Sequence, residues 1–241
     1  MLWPPSYYWY YRCWHDQAFK LAQRLHEEVG FDIAHQLTMV GFREPGYLWR
    51  LGIPFVWGPV GGMGMFPWRF LPAVGVYGAL YYLGYNLFNA FQVRFLQRPK
   101  LAARCAGVGL IAATLENREG AARYWGCNSQ LISEVGLPPV QVLQPKTRIP
   151  GEPLRLVWAA QHTPSKALNL ALDALSVLPK QHEWELHVLG EGPCTVHWRR
   201  MARRLGLGER CRFLGWLSRD KAMKVMAASH VMLITSLRDL T

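Results

Sequence analysis

The sequence predicts an α/β protein made of two αβ-patterned halves, the second of them a parallel, doubly wound sheet. Three observations predict it. Short apolar runs alternate with helix-periodic segments along most of the 241 residues. Glycine turns fall at the C-terminal ends of the apolar runs, so they open onto one edge of each sheet. A polar stretch dense in Pro and Gly, Gln144–Pro153, reads as a linker and divides the chain into 1–146 and 147–241.

In the first half, residues 1–15 are aromatic and carry no assignable pattern. Asp16 to Val29 predicts a helix stopped by Gly30. Phe31 to Leu37 reads as a short strand, and Phe42 to Leu51 as irregular chain or a short helix. Ile53 to Trp57 is an apolar strand running into the turn Gly58-Pro59-Val60-Gly61-Gly62. Such a turn lets backbone approach a ligand closely, although any tight turn uses the same residues. Phe70 to Val93 holds no charge and fits three readings: a buried or interface helix pair, an element lying on a membrane with Arg94, Arg98, Lys100 and Arg104 at the headgroups, or a span. Val108 to Ala113 is a strand, Leu115 to Trp125 a helix and Leu131 to Ser133 a short strand.

The second half is more regular. Leu154 to Ala159 reads as a buried strand and 165–178 as a helix with Leu168, Ala171, Leu172, Leu175 and Leu178 on one face. Thr163 is placed to cap that helix and Pro164 to open it. Lys166 would then lie in the first turn, where free N–H groups and the ammonium make an anion site at a strand end. A solvated surface lysine is the plain alternative. Three further strand–turn steps follow: Trp184 to Leu189 with Gly190-Glu191-Gly192-Pro193, Cys211 to Leu214 with Gly215-Trp216, and Val231 to Thr235. Helices about 196–205 and 219–228 lie between them.

Composition narrows the function. A formal charge of +11 suits phosphorylated substrates, anionic lipid or nucleic acid. No nucleic-acid-binding motif accompanies it, so nucleic acid is set aside. Five dispersed cysteines without a Cys-x-x-Cys pair argue for free thiols and against zinc. The first residues lack the pattern of a signal peptide.

The residues together resemble a family 4 glycosyltransferase of the GT-B fold. The second half carries this in WAAQHTPSKALNLALDAL, HVLGEGP, RCRFLGWLSRDKAM and HVMLITSLRD; the first half in FDIAHQLT, GFREPGYLWRLGIPFVWGPVGG and IAATLENREGAARYWG. The resemblance implies two Rossmann-like parallel-sheet domains facing a cleft, both incomplete here, with nothing before Asp16 reading as a first βα unit. It implies retaining transfer of a sugar from a UDP-sugar or GDP-sugar donor, without cofactor or metal, to a glycan or lipid-linked acceptor at the cytoplasmic side of a membrane. Lys166 would grip the diphosphate. Gln161 stands where the family usually has an arginine. Gly190, Gly192 and Pro193 would form the turn beneath the nucleotide, and Trp216 would lie near the base. Asp239 falls where the first acid of a paired-acid motif belongs, its partner beyond Thr241. In the first half His35 would face the donor sugar, with Gly61 and Gly62 lining the cleft. His35 also fits a satisfied strand-end histidine, and Asp239 a loop acid. Two other classes stay open. One is a nucleotide- or lipid-binding module without turnover. The other is a doubly wound epimerase, although neither a Gly-x-Gly-x-x-Gly turn nor a Tyr-x-x-x-Lys pair is found.

Overall fold

A computed structural model describes residues 5–37, 39–136, 146–179 and 181–238. Their contacts define two compact units, Met1–Met65 with Gly84–Gly136 and Phe66–Leu83 with Leu137–Asp239.

The first unit holds a four-stranded parallel sheet, β1 (Ala34–Gln36), β2 (Phe55–Val60), β3 (Leu110–Ala112) and β4 (Gln130–Leu131), in sequential order. Its core packs Phe42, Phe55, Trp57, Val93, Leu110 and Trp125. The Trp57 and Trp125 rings stack at 5.8 Å, and the Trp125 indole N–H donates to the Val93 carbonyl at 3.1 Å.

Helix α1 covers Pro5–Val29, beginning well before the expected Asp16. The aromatic run that carried no legible pattern is helical because its rings meet at helical spacing. Tyr7 stacks on Tyr11 at 6.1 Å, and Tyr11 stacks on Trp14 at 5.7 Å. Gly30, at φ +75°, ends the helix with its N–H on the His26 carbonyl.

The expected turn at Gly58-Pro59-Val60 is instead strand. β2 runs through to Val60, with a cis Gly58–Pro59 bond and a register shift against β3 between Trp57 and Val60. A bulge is where a sheet tolerates proline, which cannot donate to the ladder.

The uncharged stretch forms a 3₁₀ segment, Trp68–Val74, and then helix α2 (Gly75–Phe95), followed by α3 (Gln97–Ala106). Among the described residues no helix is long and apolar enough to cross a membrane. Full burial fails as well, because α2 exposes most of its large apolar side chains, Tyr77 to 91%, which leaves the interface and membrane-surface readings. Helix α4 (Leu115–Gly120) is capped by Thr114, whose Oγ1 accepts from the Asn117 N–H, and a wider turn continues it to Trp125.

The second unit holds β5 (Leu154–Ala159), β6 (Trp184–Leu189), β7 (Cys211–Gly215) and β8 (Val231–Met232), all parallel, in the order β7-β6-β5-β8. Helices α5 (Leu168–Ser176), α6 (Thr195–Arg204) and α7 (Arg219–Ala227) connect them. Trp158, Leu168, Leu172, Trp184, Leu186, Val188 and Trp198 form the core.

The expected helix over 165–178 starts late. Pro164–Lys166 is a single 3₁₀ turn, Ala167 takes a left-handed conformation at φ +46°, and only then does α5 begin. Thr163 makes no side-chain cap. Contacts from distant chain account for the break. Thr235 Oγ1 donates to the Lys166 carbonyl at 2.7 Å, the Leu237 N–H donates to the Ser165 carbonyl at 2.8 Å, and Ala167 is fully buried.

Candidate functional site

Parallel strands deliver their C-terminal turns to one edge, and in the second unit those turns are laced together. The His162 N–H donates to the Glu191 carbonyl at 2.9 Å, the Cys194 N–H to the His162 carbonyl at 3.0 Å, and the Gly190 N–H to the Gly215 carbonyl at 2.8 Å. The turns after β5, β6 and β7 are thereby fixed to one another.

His162 is the centre of this lacing, and sequence reasoning passed over it while singling out its neighbours Gln161 and Thr163. Its side chain is fully buried beside Trp158 and Trp198. Its Nδ1 lies 2.8 Å from Thr195 Oγ1, which also accepts the Gly192 N–H at 2.9 Å. Burial holds the imidazole pKa below its ordinary value, an effect that the nearby Leu189 carbonyl opposes and Arg199 reinforces.

Six of the residues singled out from sequence share this edge. Gln161 is exposed, Lys166 is half-buried, and Pro193 is exposed on the β6 turn. Trp216 follows Gly215 with 80% of its surface in solvent. Gly190 and Gly192 sit against protein. A Cβ on Gly190 would stand 2.1 Å from the Ala160 carbonyl oxygen, and one on Gly192 would stand 2.6 Å from that of His162. The anion site drawn from a helix first turn needs correcting. The Lys166 N–H donates to Thr163 and the Ala167 N–H to Pro164, so these amides are already engaged.

Beside the edge, a cavity of about 490 Å³ is lined by residues that include Pro164, Asn169, Cys194 and Trp198. Another, of about 440 Å³, includes Leu154, Leu156 and Trp184 in its walls, at the N-terminal end of the strands.

In the first unit, His35 lies on β1, exposed, with Nε2 3.0 Å from the Gly58 carbonyl, to which it can only donate. Gly61 and Gly62 follow the end of β2, and the Gly61 N–H donates to Val40 at 2.6 Å. A polar network that sequence reasoning missed holds the next residues. Asn89 Nδ2 donates to the Met63 and Gly64 carbonyls at 3.0 and 3.2 Å, and Asn117 Oδ1 accepts the Met63 N–H at 2.9 Å. Arg43 donates to Asn89 Oδ1 at 2.5 Å and to Gln92 Oε1 at 2.6 Å. The available signal was the run of Asn86, Asn89 and Gln92 through an otherwise apolar helix. Also missed was Glu44, 2% exposed, which pairs with Arg98 at 2.8 Å and with Arg12.

Asp239 lies outside the described residues. Among those described, no group of three or more His, Cys, Asp or Glu side chains is placed to hold a metal ion.

Residues 140–239 match the family described as glycosyl transferases group 1. That segment contains the whole laced edge. The chain's fold of two parallel-sheet parts is that of GT-B enzymes. The lipopolysaccharide outer core galactosyltransferase WaaB aligns with 93% of this chain and 55% of its own at 13% identity and a TM-score of 0.56. Alr3699/HepE of Anabaena, solved in complex with UDP, aligns with 90% and 56% at 17% identity and 0.53. Sucrose-phosphate synthase from Thermosynechococcus elongatus aligns with 93% and 54% at 15% and 0.51. The chain thus spans about half the length of the solved structures it matches. No curated protein matches the sequence.

Proposed function

We propose that this chain carries the donor site of a retaining, family 4 glycosyltransferase. That enzyme moves a hexosyl group from a UDP-sugar or GDP-sugar to a glycan or lipid-linked acceptor in cell-surface polysaccharide synthesis, on the cytoplasmic side of the membrane. One observation carries this reading: Lys166, the Gly190–Pro193 turn and Trp216 follow the C-terminal ends of three neighbouring parallel strands, inside the segment that matches group 1 glycosyl transferases. WaaB, by name a galactosyltransferase, and HepE, solved with UDP, supply the substrate analogy.

The chemistry suits the side chains. As the sugar leaves, negative charge grows on the departing diphosphate, and a fixed ammonium there stabilises that charge more than the ground state. Lys166 takes that role. Trp216 offers an exposed aromatic plane to the base. His35, whose Nε2 donates to the Gly58 carbonyl, takes the role of orienting the sugar, and Gly61 and Gly62 that of lining the donor pocket. Asp239 holds donor hydroxyls. Gln161 contributes a hydrogen bond without the charge an arginine would add.

Calorimetric titration with UDP, GDP and their sugars, alongside Lys166→Ala, tests the proposal. One nucleotide should bind, and Lys166→Ala should weaken it by about 1–3 kcal/mol, the range for a charge-assisted contact. Unchanged affinity in the variant refutes the role of Lys166. Tight binding with no sugar transfer by this chain would instead favour a nucleotide-binding module.

A further inference from the structure

Helix α2 is built inside out. Its buried face carries Tyr82, Asn86, Asn89 and Val93, at helical spacing. The face turned to solvent from Gly84 onward carries Leu87, Phe88, Phe91 and Phe95, each more than half exposed, and α3 adds Leu101. A helix on a water-soluble surface normally shows the reverse pattern. Exposing so many large apolar groups in one stripe marks an interaction surface. The charged residues within α2 and α3 are of one sign. No acidic residue lies between Glu44 and Glu116, while Arg94 and Arg104 are exposed beside the stripe and Lys100 follows it, its ammonium 2.6 Å from the Arg94 carbonyl.

We propose that this face of α2 and α3 docks on an anionic lipid bilayer, its phenylalanines entering the headgroup–acyl boundary and its cations meeting lipid phosphates. The inference rests on the reading of a membrane-borne acceptor and names the surface that brings the chain to it. An apolar stripe rimmed by cations is the pattern of an interfacial helix, which lies in the membrane plane without crossing it. Cations add attraction to anionic lipid over a Debye length and lose it in salt. The polar residues on the inner face keep the helix seated on the protein while its apolar face is in lipid.

The test is co-sedimentation of the full chain with vesicles of phosphatidylglycerol mixed into phosphatidylcholine, against phosphatidylcholine alone. Binding should require the anionic lipid and fall steeply with salt. The Phe88→Ser/Phe91→Ser pair should weaken it roughly a hundredfold, from the apolar area withdrawn. The Arg94→Gln/Arg104→Gln pair should weaken it about tenfold or more. Circular dichroism and nucleotide titration on the same variants should be unchanged, because the laced edge lies on other elements. Absence of lipid binding by folded wild-type chain overturns the proposal. So does a concentration-dependent dimer that Phe88→Ser/Phe91→Ser dissolves, which would assign the face to a second copy. Vesicle binding without nucleotide binding would refute the donor site alone, and the converse would refute the docking face alone.

Discussion

Gly190→Ala separates two accounts of the β6 turn. In one, the glycine leaves room for a nucleotide. In the other, it leaves room for the neighbouring turn. Gly190 has φ +103°, a conformation that costs a residue with a Cβ about 1–3 kcal/mol. The added methyl would stand 2.1 Å from the Ala160 carbonyl oxygen, a backbone atom that cannot rotate away. The turns after β5 and β6 must then separate, which strains the Ala160–Leu189 and His162–Glu191 bonds at about 1 kcal/mol each. The total loss is about 3 kcal/mol or more, a large part of the ~5–15 kcal/mol that holds a domain together. Gly192→Ala, with φ in the ordinary range, should cost less, although its methyl would also crowd the His162 carbonyl. Urea unfolding gives the stability, and hydrogen exchange at the amides of β5 and β6 reads the second unit by itself. A Gly190→Ala protein within about 0.5 kcal/mol of wild type that has nonetheless lost nucleotide binding would refute the packing account.

Removing the Glu44 carboxylate leaves Arg12 and Arg98 facing a buried pocket. Glu44→Ala should cost about 2–3 kcal/mol in urea unfolding, below the ~3–5 typical of a broken buried pair because half of the Arg12 side chain stays in water. Stability should also fall with acid. Burial lowers the pKa values of His15, His162 and His187, so below about pH 6.5 the unfolded chain binds protons that the folded chain resists. Stability is therefore full above that pH and declines as pH drops toward the lowered folded values. In His162→Gln the decline should be shallower, and an unchanged slope would remove His162 from the account.

What the sequence made legible follows from how local each cause is. β5 and β6 are apolar runs bounded by turn residues, and their limits are read directly from the letters. The placement of Lys166, the β6 turn and Trp216 on one edge follows from strand–helix alternation alone. The late start of α5 could not be read. Thr163-Pro164 is a good helix opening by itself, and the break comes from Thr235 and Leu237, roughly seventy residues away. The early start of α1 was hidden for another reason. Residues 7–11 are all aromatic, so no alternation of apolar and polar positions shows there for periodicity to find. His162 was readable as polar, but its burial depends on Trp158, Trp198 and the β6 turn closing around it.

The inner face of α2 has a mechanical consequence. Apolar contacts resist separation but permit sliding, whereas hydrogen bonds are directional and fail within a few tenths of an ångström. Asn89 grips the Met63 and Gly64 carbonyls, and Arg43 grips Asn89 and Gln92 in turn. Helix α2 is thus coupled to the segment that leaves β2 through Gly61 and Gly62 as a rod is to a crank. A tilt of α2 would have to break those bonds or carry the Met63–Gly64 segment with it, so the helix and the chain leaving β2 are expected to move as one body.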